Sequence, residues 1–181
     1  MEGTEFKIRT RRPSKRVAFG LLSVYALLVP VYFAVGFQPG FLGKVSAYAR
    51  EVQSASGLLE IPSISLSAPV SRAELAGRKL SVPNYIVGKY QSYENKVLLM
   101  GHSSTVFADL SKIQVSDEIS YDGQVFEVVS KEVREKSEIS MKEILRDEEK
   151  LTLTLMTCFG EHISGQDYSH RLIVNAVVRG E

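Results

Sequence analysis

The chain has 181 residues, 44% hydrophobic and 24% charged, with a formal net charge of +1. That length holds one domain with a real core plus an appendage, and the ordinary globular composition excludes disorder over most of the chain. The charge is unevenly spread: Lys7, Arg9, Arg11, Arg12, Lys15 and Arg16 face only Glu2 and Glu5, and the rest is slightly acidic, without the basic stripe nucleic-acid binding needs.

Residues 17–37 (VAFGLLSVYALLVPVYFAVGF) carry no charge, and as a helix they would extend roughly 31 Å, the thickness of a bilayer's hydrocarbon core. They predict a transmembrane helix, in which Pro30 is a tolerated kink. The basic tail 1–16 belongs on the cytoplasmic side, which places the rest of a single-pass cell-membrane protein outside. Ala47-Tyr48-Ala49 offers a competing reading as a signal-peptide processing site. The apolar run is longer than the usual ~7 to 15 residue signal core, and Gly36, Pro39, Gly40 and Gly43 lie between it and that site, which favours a retained anchor. Both readings export the domain.

Residues 38–57 are rich in Gly, Ser and Ala and read as a juxtamembrane linker with a short helix around 45–53. The folded domain spans 58–181. Leu59, Ile61, Ile64 and Leu66, interrupted by Pro62, predict an edge strand with a bend, and Ala68-Pro69-Val70 a second short strand. Residues 96–100 form a compact apolar strand ending at Gly101. Runs 115–121 and 124–131 meet at Asp122-Gly123, the sequence form of a tight hairpin turn. Ser140-Met141-Lys142-Glu143 reads as a capping box opening a helix that ends near Arg146. Leu and Thr alternate over 151–157, and 171–179 is a final apolar strand. Short strands, few helices and no βαβ rhythm predict a mainly β domain, closed or nearly closed into a barrel.

Cys158 is the only cysteine, so an exported domain has no second thiol with which to close an internal disulfide. Taken alone, it is as readily a small buried hydrophobe as a reactive group. Its place after strand 151–157, before the glycine- and polar-rich, mobile loop 159–170, favours chemistry, because strand ends opening into loops present reactive groups. A thiol of ordinary pKa near ~8.5 needs a neighbouring base or cation to become a nucleophile. His102 lies at a second strand end; His162 and His170 lie in the loop after Cys158. A surface role suits His162, whereas His170 adjoins Arg171 and stays a candidate. Asp109 and Asp167 qualify as carboxylate orienters only by closeness in sequence, and solvated loop or capping roles suit both better.

Three segments occur in order: Gly101-His102 after an apolar strand, Thr154-Leu155-Met156-Thr157-Cys158 ending another, and Arg171-Leu172-Ile173-Val174 opening the last. Together they resemble the sortase pattern, in which a His follows Gly, a TLxTC segment ends in Cys, and an Arg precedes an aliphatic strand. The similarity runs from about residue 59 to 178, with LEIPSISLSAPV near its start and VFADLSKIQVSDEI after the histidine. It implies a sortase-type closed β-barrel with a few short helices, held at the outer face of the membrane. The implied activity is that of a cysteine transpeptidase. Such an enzyme cleaves an LPxTG-like C-terminal sorting signal of exported proteins and passes the acyl group to an amine of a cell-wall precursor or a pilin lysine.

By position the resemblance makes Cys158 the nucleophile, His102 the general acid/base and Arg171 the donor that stabilises the oxyanion or substrate, with Thr157 in a supporting place. Phe159 departs from the pattern, since many relatives have Pro after the cysteine. No cofactor is implied, and the acidic residues that bind calcium in some sortases have no assignable match, which leaves calcium open. Two rival readings remain. One is a sortase-derived binding or assembly module without turnover, against which the complete His, Cys and Arg set argues. The other is a Cys transpeptidase or hydrolase acting on the peptidoglycan stem. Papain-like wall peptidases place Cys before His, and the SxGC-type motif of the L,D-transpeptidases is absent from TLMTCFG.

Overall fold

The structure, a computed structural model, describes residues 41–76, 79–165 and 167–180. The predicted tail 1–16 and transmembrane helix 17–37 lie outside the described residues. Among the described residues no helix is long and apolar enough to cross a membrane. The chain divides into Met1–Lys44 and Val45–Glu181, and the second unit carries the fold.

Helix α1 covers Phe41–Gln53 and precedes strands β1 (Gly57–Ile61), β2 (Leu66–Arg72), β3 (Glu74–Ala76), β4 (Lys79–Ser81), β5 (Val87–Tyr93) and β6 (Lys96–Met100). Then come β7 (Glu118–Tyr121), β8 (Gln124–Glu135), the one-turn helix α2 (Met141–Ile144), β9 (Thr152–Ser164) and β10 (Asp167–Val178). Eight of the described strands close a barrel in the order β1-β2-β5-β6-β9-β10-β8-β7, while β3 and β4 form a separate ribbon. The pairs β2–β5 and β6–β9 are parallel; the other barrel pairs are antiparallel.

Closure corrects the expectation of an edge strand at 59–66. β1 pairs with β2 on one side and, through Leu59↔Tyr121 and Glu60↔Ser120, with β7 on the other. Pro62, which has no N–H to give a ladder and a preset φ, instead opens a 3-10 turn over Pro62–Ile64 that ends with Ser65 at φ 53. The Asp122-Gly123 hairpin stands as expected: both residues have positive φ, 53 and 75, as a turn matched to strand twist requires.

Alternation along the strands builds two cores. Leu59, Val97, Leu99, Phe126, Leu153, Leu155, Leu172 and Val174 point into the barrel. Leu98, Met100 and Ile173 point outward and are covered by Ile144 of α2, with Leu80, Val82 and Met156 around them. β6 is therefore buried on both faces, which is why residues 97–100, after Lys96, are continuously apolar rather than alternating. Helix α2 is shorter than predicted, and Ser140 makes no side-chain cap bond. Its carbonyl accepts the N–H groups of Glu143 and Ile144, both at 3.0 Å, while the Glu143 carboxylate is drawn away to Arg134 at 3.0 Å. Burial of Ile144, more than capping, keeps this single turn in place.

The largest departure lies after Cys158. The predicted loop 159–170 is a hairpin, with β9 running on to Ser164 and β10 beginning at Asp167. Glycine hid the strand pattern: Gly160 and Gly165 have φ of 81 and 57, and the register shifts between Asp167 and Tyr168 and again between Tyr168 and His170. Gly160 and Glu161 thus oppose Ser169 alone, a bulge with glycine in the left-handed position.

Candidate active site

Two pairings assemble the site. Parallel β6 and β9 align Met100 with Met156, so the residues that follow, Gly101-His102 and Thr157-Cys158, emerge side by side. Antiparallel β9 and β10 align Cys158 with Arg171, and directly opposed residues project to one face of a sheet. Because Leu155 and Leu172 fill the barrel, their neighbours on the other face, Met156 with Cys158 and Arg171 with Ile173, face outward. A cavity of about 170 Å³ results, lined by Val82, Met100, Gly101, His102, Met156, Thr157, Cys158 and Arg171. Its floor is apolar and its rim carries a thiol, an imidazole and a guanidinium. Cys158 itself is half-buried.

Thr157 faces the barrel and locks the two strand ends together. Its buried hydroxyl donates to the Gly101 carbonyl at 2.7 Å, and the Gly101 N–H donates to the Met156 carbonyl at 3.3 Å. Gly101 has to be glycine for space: a Cβ there would lie 2.5 Å from Val106 Cγ1 and 2.7 Å from Phe107 Cδ2. The His102 carbonyl accepts the N–H groups of Thr105 and Phe107, at 3.2 and 3.1 Å, so the chain turns sharply as it leaves the histidine.

Arg171 is held along its own strand. Nη1 donates to the carbonyls of Tyr168 at 3.0 Å and His170 at 2.8 Å, and Nη2 sits 3.4 Å from Asp167 Oδ1. Lys136 grips both oxygens of that carboxylate, at 2.8 and 2.7 Å. The bond from Lys136 is the main cause that holds the Asp167 carboxyl below its usual value of 3.8; desolvation pushes the other way, and the bond from Arg171 adds a lesser downward pull.

The Sortase domain family model matches residues 59–179. The chain belongs to the sortase family. That family comprises cysteine transpeptidases built on this closed barrel. The chain is similar to Sortase D of Bacillus subtilis (strain 168), with 28% identity over 119 residues that cover 63% of this chain and 59% of that protein. The match thus spans less than two thirds of the relative's length. Among solved structures it resembles the Pilus Island 1 sortase C2 of Group B Streptococcus, with TM-score 0.55 and 22% identity over 74% of this chain and 80% of that one. It also resembles a Clostridium perfringens sortase D5 transpeptidase, with TM-score 0.54 and 20% identity over 70% and 79%. At these identities the structural likeness speaks for the fold.

Within this sortase domain the three residues of the sequence pattern share one cavity, and the other candidates do not. His170 lies across from Phe159, on the face of β10 opposite to Arg171, with its Nδ1 2.7 Å from the Ser169 hydroxyl. His162 stands at the hairpin tip, its Nε2 2.6 Å from the Gly165 carbonyl and its ring edge-on to Tyr168 at 5.3 Å. Asp109 pairs with Lys112 on the surface at 2.8 Å. Asp167, expected to be a solvated loop residue, instead bridges Lys136 and Arg171.

Sequence reasoning missed a second support. The Glu51 carboxylate, on α1, accepts the N–H groups of Asn84 at 2.9 Å and Tyr85 at 2.8 Å. The Asn84 carbonyl in turn accepts the Thr105 hydroxyl at 2.6 Å, which ties α1 to the loop that carries His102. No local signal marks Glu51, since its partners are backbone groups more than thirty residues away. Among the described residues no group of three or more His, Cys, Asp or Glu side chains is arranged to hold a metal ion.

Proposed function

We propose that this protein is a membrane-anchored cysteine transpeptidase that cleaves an LPxTG-like sorting signal of exported proteins and transfers the acyl group to an amine. The observation that carries the reading is the shared cavity of His102, Cys158 and Arg171 over an apolar floor, in a chain of the sortase family. The uncharged stretch 17–37 behind a basic tail supports the anchor and the extracytoplasmic placing of the domain.

The Cys158 thiolate attacks the scissile carbonyl carbon, forming a C–S bond and a tetrahedral oxyanion. Arg171, always charged and planar, donates to that oxygen. Collapse breaks the C–N bond; protonated His102 gives its proton to the departing amine, leaving a thioester on Cys158 and a neutral imidazole. The acceptor amine then attacks the thioester, loses its proton to His102 and expels the Cys158 thiolate, which restores the starting state. Acceptors are an amine of a wall precursor or a pilin lysine. The apolar side chains of Val82, Met100 and Met156 suit an aliphatic residue of the signal and keep water from the thioester.

The test is transfer of a labelled LPxTG-type peptide to an added amine. The wild-type protein joins the two, and Cys158→Ala joins neither. Labelling of Cys158 without transfer or hydrolysis would instead indicate a binding module, and turnover only of a peptidoglycan stem peptide would move the substrate class.

A further inference from the structure

The β10 strand carries a carboxylate for which the reaction as described has no use. Asp167 opens the strand, and its Oδ1 meets Arg171 Nη2 at 3.4 Å. The same carboxylate is anchored from another strand: Lys136, just past the end of β8, places Nζ 2.8 Å from Oδ1 and 2.7 Å from Oδ2. The Tyr168 N–H adds a bond to Oδ1 at 3.1 Å. Asp167 is therefore fixed by groups independent of Arg171, and Arg171 leans on it. We propose that Asp167, braced by Lys136, is a positioning residue that sets the direction of the Arg171 guanidinium toward the reacting carbonyl. The proposal rests on the reading of Arg171 as the oxyanion donor.

Stability does not account for the arrangement. The side chains of Lys136 and Asp167 are 50% and 37% exposed, and ion pairs so open to water contribute little to folding. Direction is what the arrangement supplies. Of the described contacts of Arg171, two go to main-chain carbonyls of β10 and one to a side chain, Asp167. The carbonyls engage Nη1 only, so among the described contacts Asp167 is the one that aims Nη2. The Arg171 side chain is only 17% exposed and lines the cavity, so the direction of Nη2 bears on what the cavity holds.

The experiment is a double-mutant cycle on the single-turnover rate of Cys158 acylation by an LPxTG-type peptide, followed by intact mass. Its four proteins are wild type, Asp167→Asn, Arg171→Ala and the double variant. Asn is nearly isosteric with Asp at this half-exposed site, and thermal melts check that all four fold. Asp167→Asn is expected to slow acylation about tenfold with peptide KM within about twofold, because a small misplacement of a transition-state donor is costly. In the Arg171→Ala background the same change is expected to have no further effect, since the residue acts through Arg171.

Equal slowing in both backgrounds, no slowing, or faster acylation by Asp167→Asn overturns the proposal. Unchanged acylation in Arg171→Ala alone overturns the reading beneath it, which keeps the two failures apart. A charge swap, Lys136→Asp with Asp167→Lys, supplies an independent arm. A structural bridge survives the swap and activity returns, which counts against the proposal. A positioning carboxylate does not survive it, because an ammonium then faces Arg171, and acylation stays slow.

Discussion

The β7–β8 hairpin turns through Asp122 and Gly123 and keeps an unbroken register from Tyr121↔Gln124 to Glu118↔Glu127. The β9–β10 hairpin, longer and equally antiparallel, shifts register twice and bends at Gly160. The first closes the barrel and lines no part of the His102, Cys158 and Arg171 cavity; the second carries two of those three residues. A regular ladder holds side chains at right angles to the sheet, which serves packing. An irregular one re-aims them, which a site needs and a core does not. Of the four register shifts in the described barrel pairings, two thus fall in the hairpin beside the chemistry, with one each in β5–β6 and β8–β10.

The sharpest way to break this division is with the histidines. His102→Ala is expected to lower kcat/KM for transpeptidation by about 10² to 10⁴, whereas His170→Ala, on the far face of β10, should cost less than about tenfold. Equal losses would move the base into the hairpin.

The glycines come next. Gly160 has φ 81, and a Cβ there would lie 2.7 Å from both His170 Nδ1 and Ser169 Oγ. Gly160→Ala should therefore destabilise by about 3 kcal/mol, from the left-handed backbone and the crowding together, and should also lower kcat. Gly123, at φ 75, has nothing within 4 Å of that position, so Gly123→Ala should cost about 1 to 2 kcal/mol and leave kcat unchanged. Urea unfolding and steady-state kinetics on the same samples check both.

Thr157→Val sharpens the comparison within β9. It removes the hydroxyl that serves the buried Gly101 carbonyl, at an expected cost of about 1 to 2 kcal/mol, with a fall in kcat as His102 loosens against Cys158. The smallest effect concerns pH. Asp167 titrates below its ordinary 3.8 in the folded chain, so what it adds to stability is complete above that value and is lost as pH falls through the folded value. Melting temperatures of wild type and Asp167→Asn should differ slightly at neutral pH, begin to draw together as pH falls past 3.8, and converge only below the folded value.

Much of the fold is legible in local chemistry. Asp122-Gly123 encodes its own turn, and the apolar runs 96–100 and 171–179 are strands because their side chains have two cores to fill. Cys158, His102 and Arg171 are readable because each stands at a fixed place in a motif. Partnerships formed at a distance are not. Whether Pro62 lies on an edge depends on β7 returning to β1. The strand character of 159–170 is masked by glycines whose φ only the folded hairpin explains. Asp167 and Glu51 acquire their roles from Lys136 and from the Asn84 and Tyr85 amides, which no spacing links to them.

The most direct test of the central claim is to trap the intermediate. Incubated with an LPxTG-type peptide and no amine acceptor, the protein should gain one acyl group. Peptide mapping should place it on Cys158 as a hydroxylamine-labile thioester, and Cys158→Ala should gain nothing. An adduct at another residue, or peptide cleavage that persists in Cys158→Ala, would contradict the account.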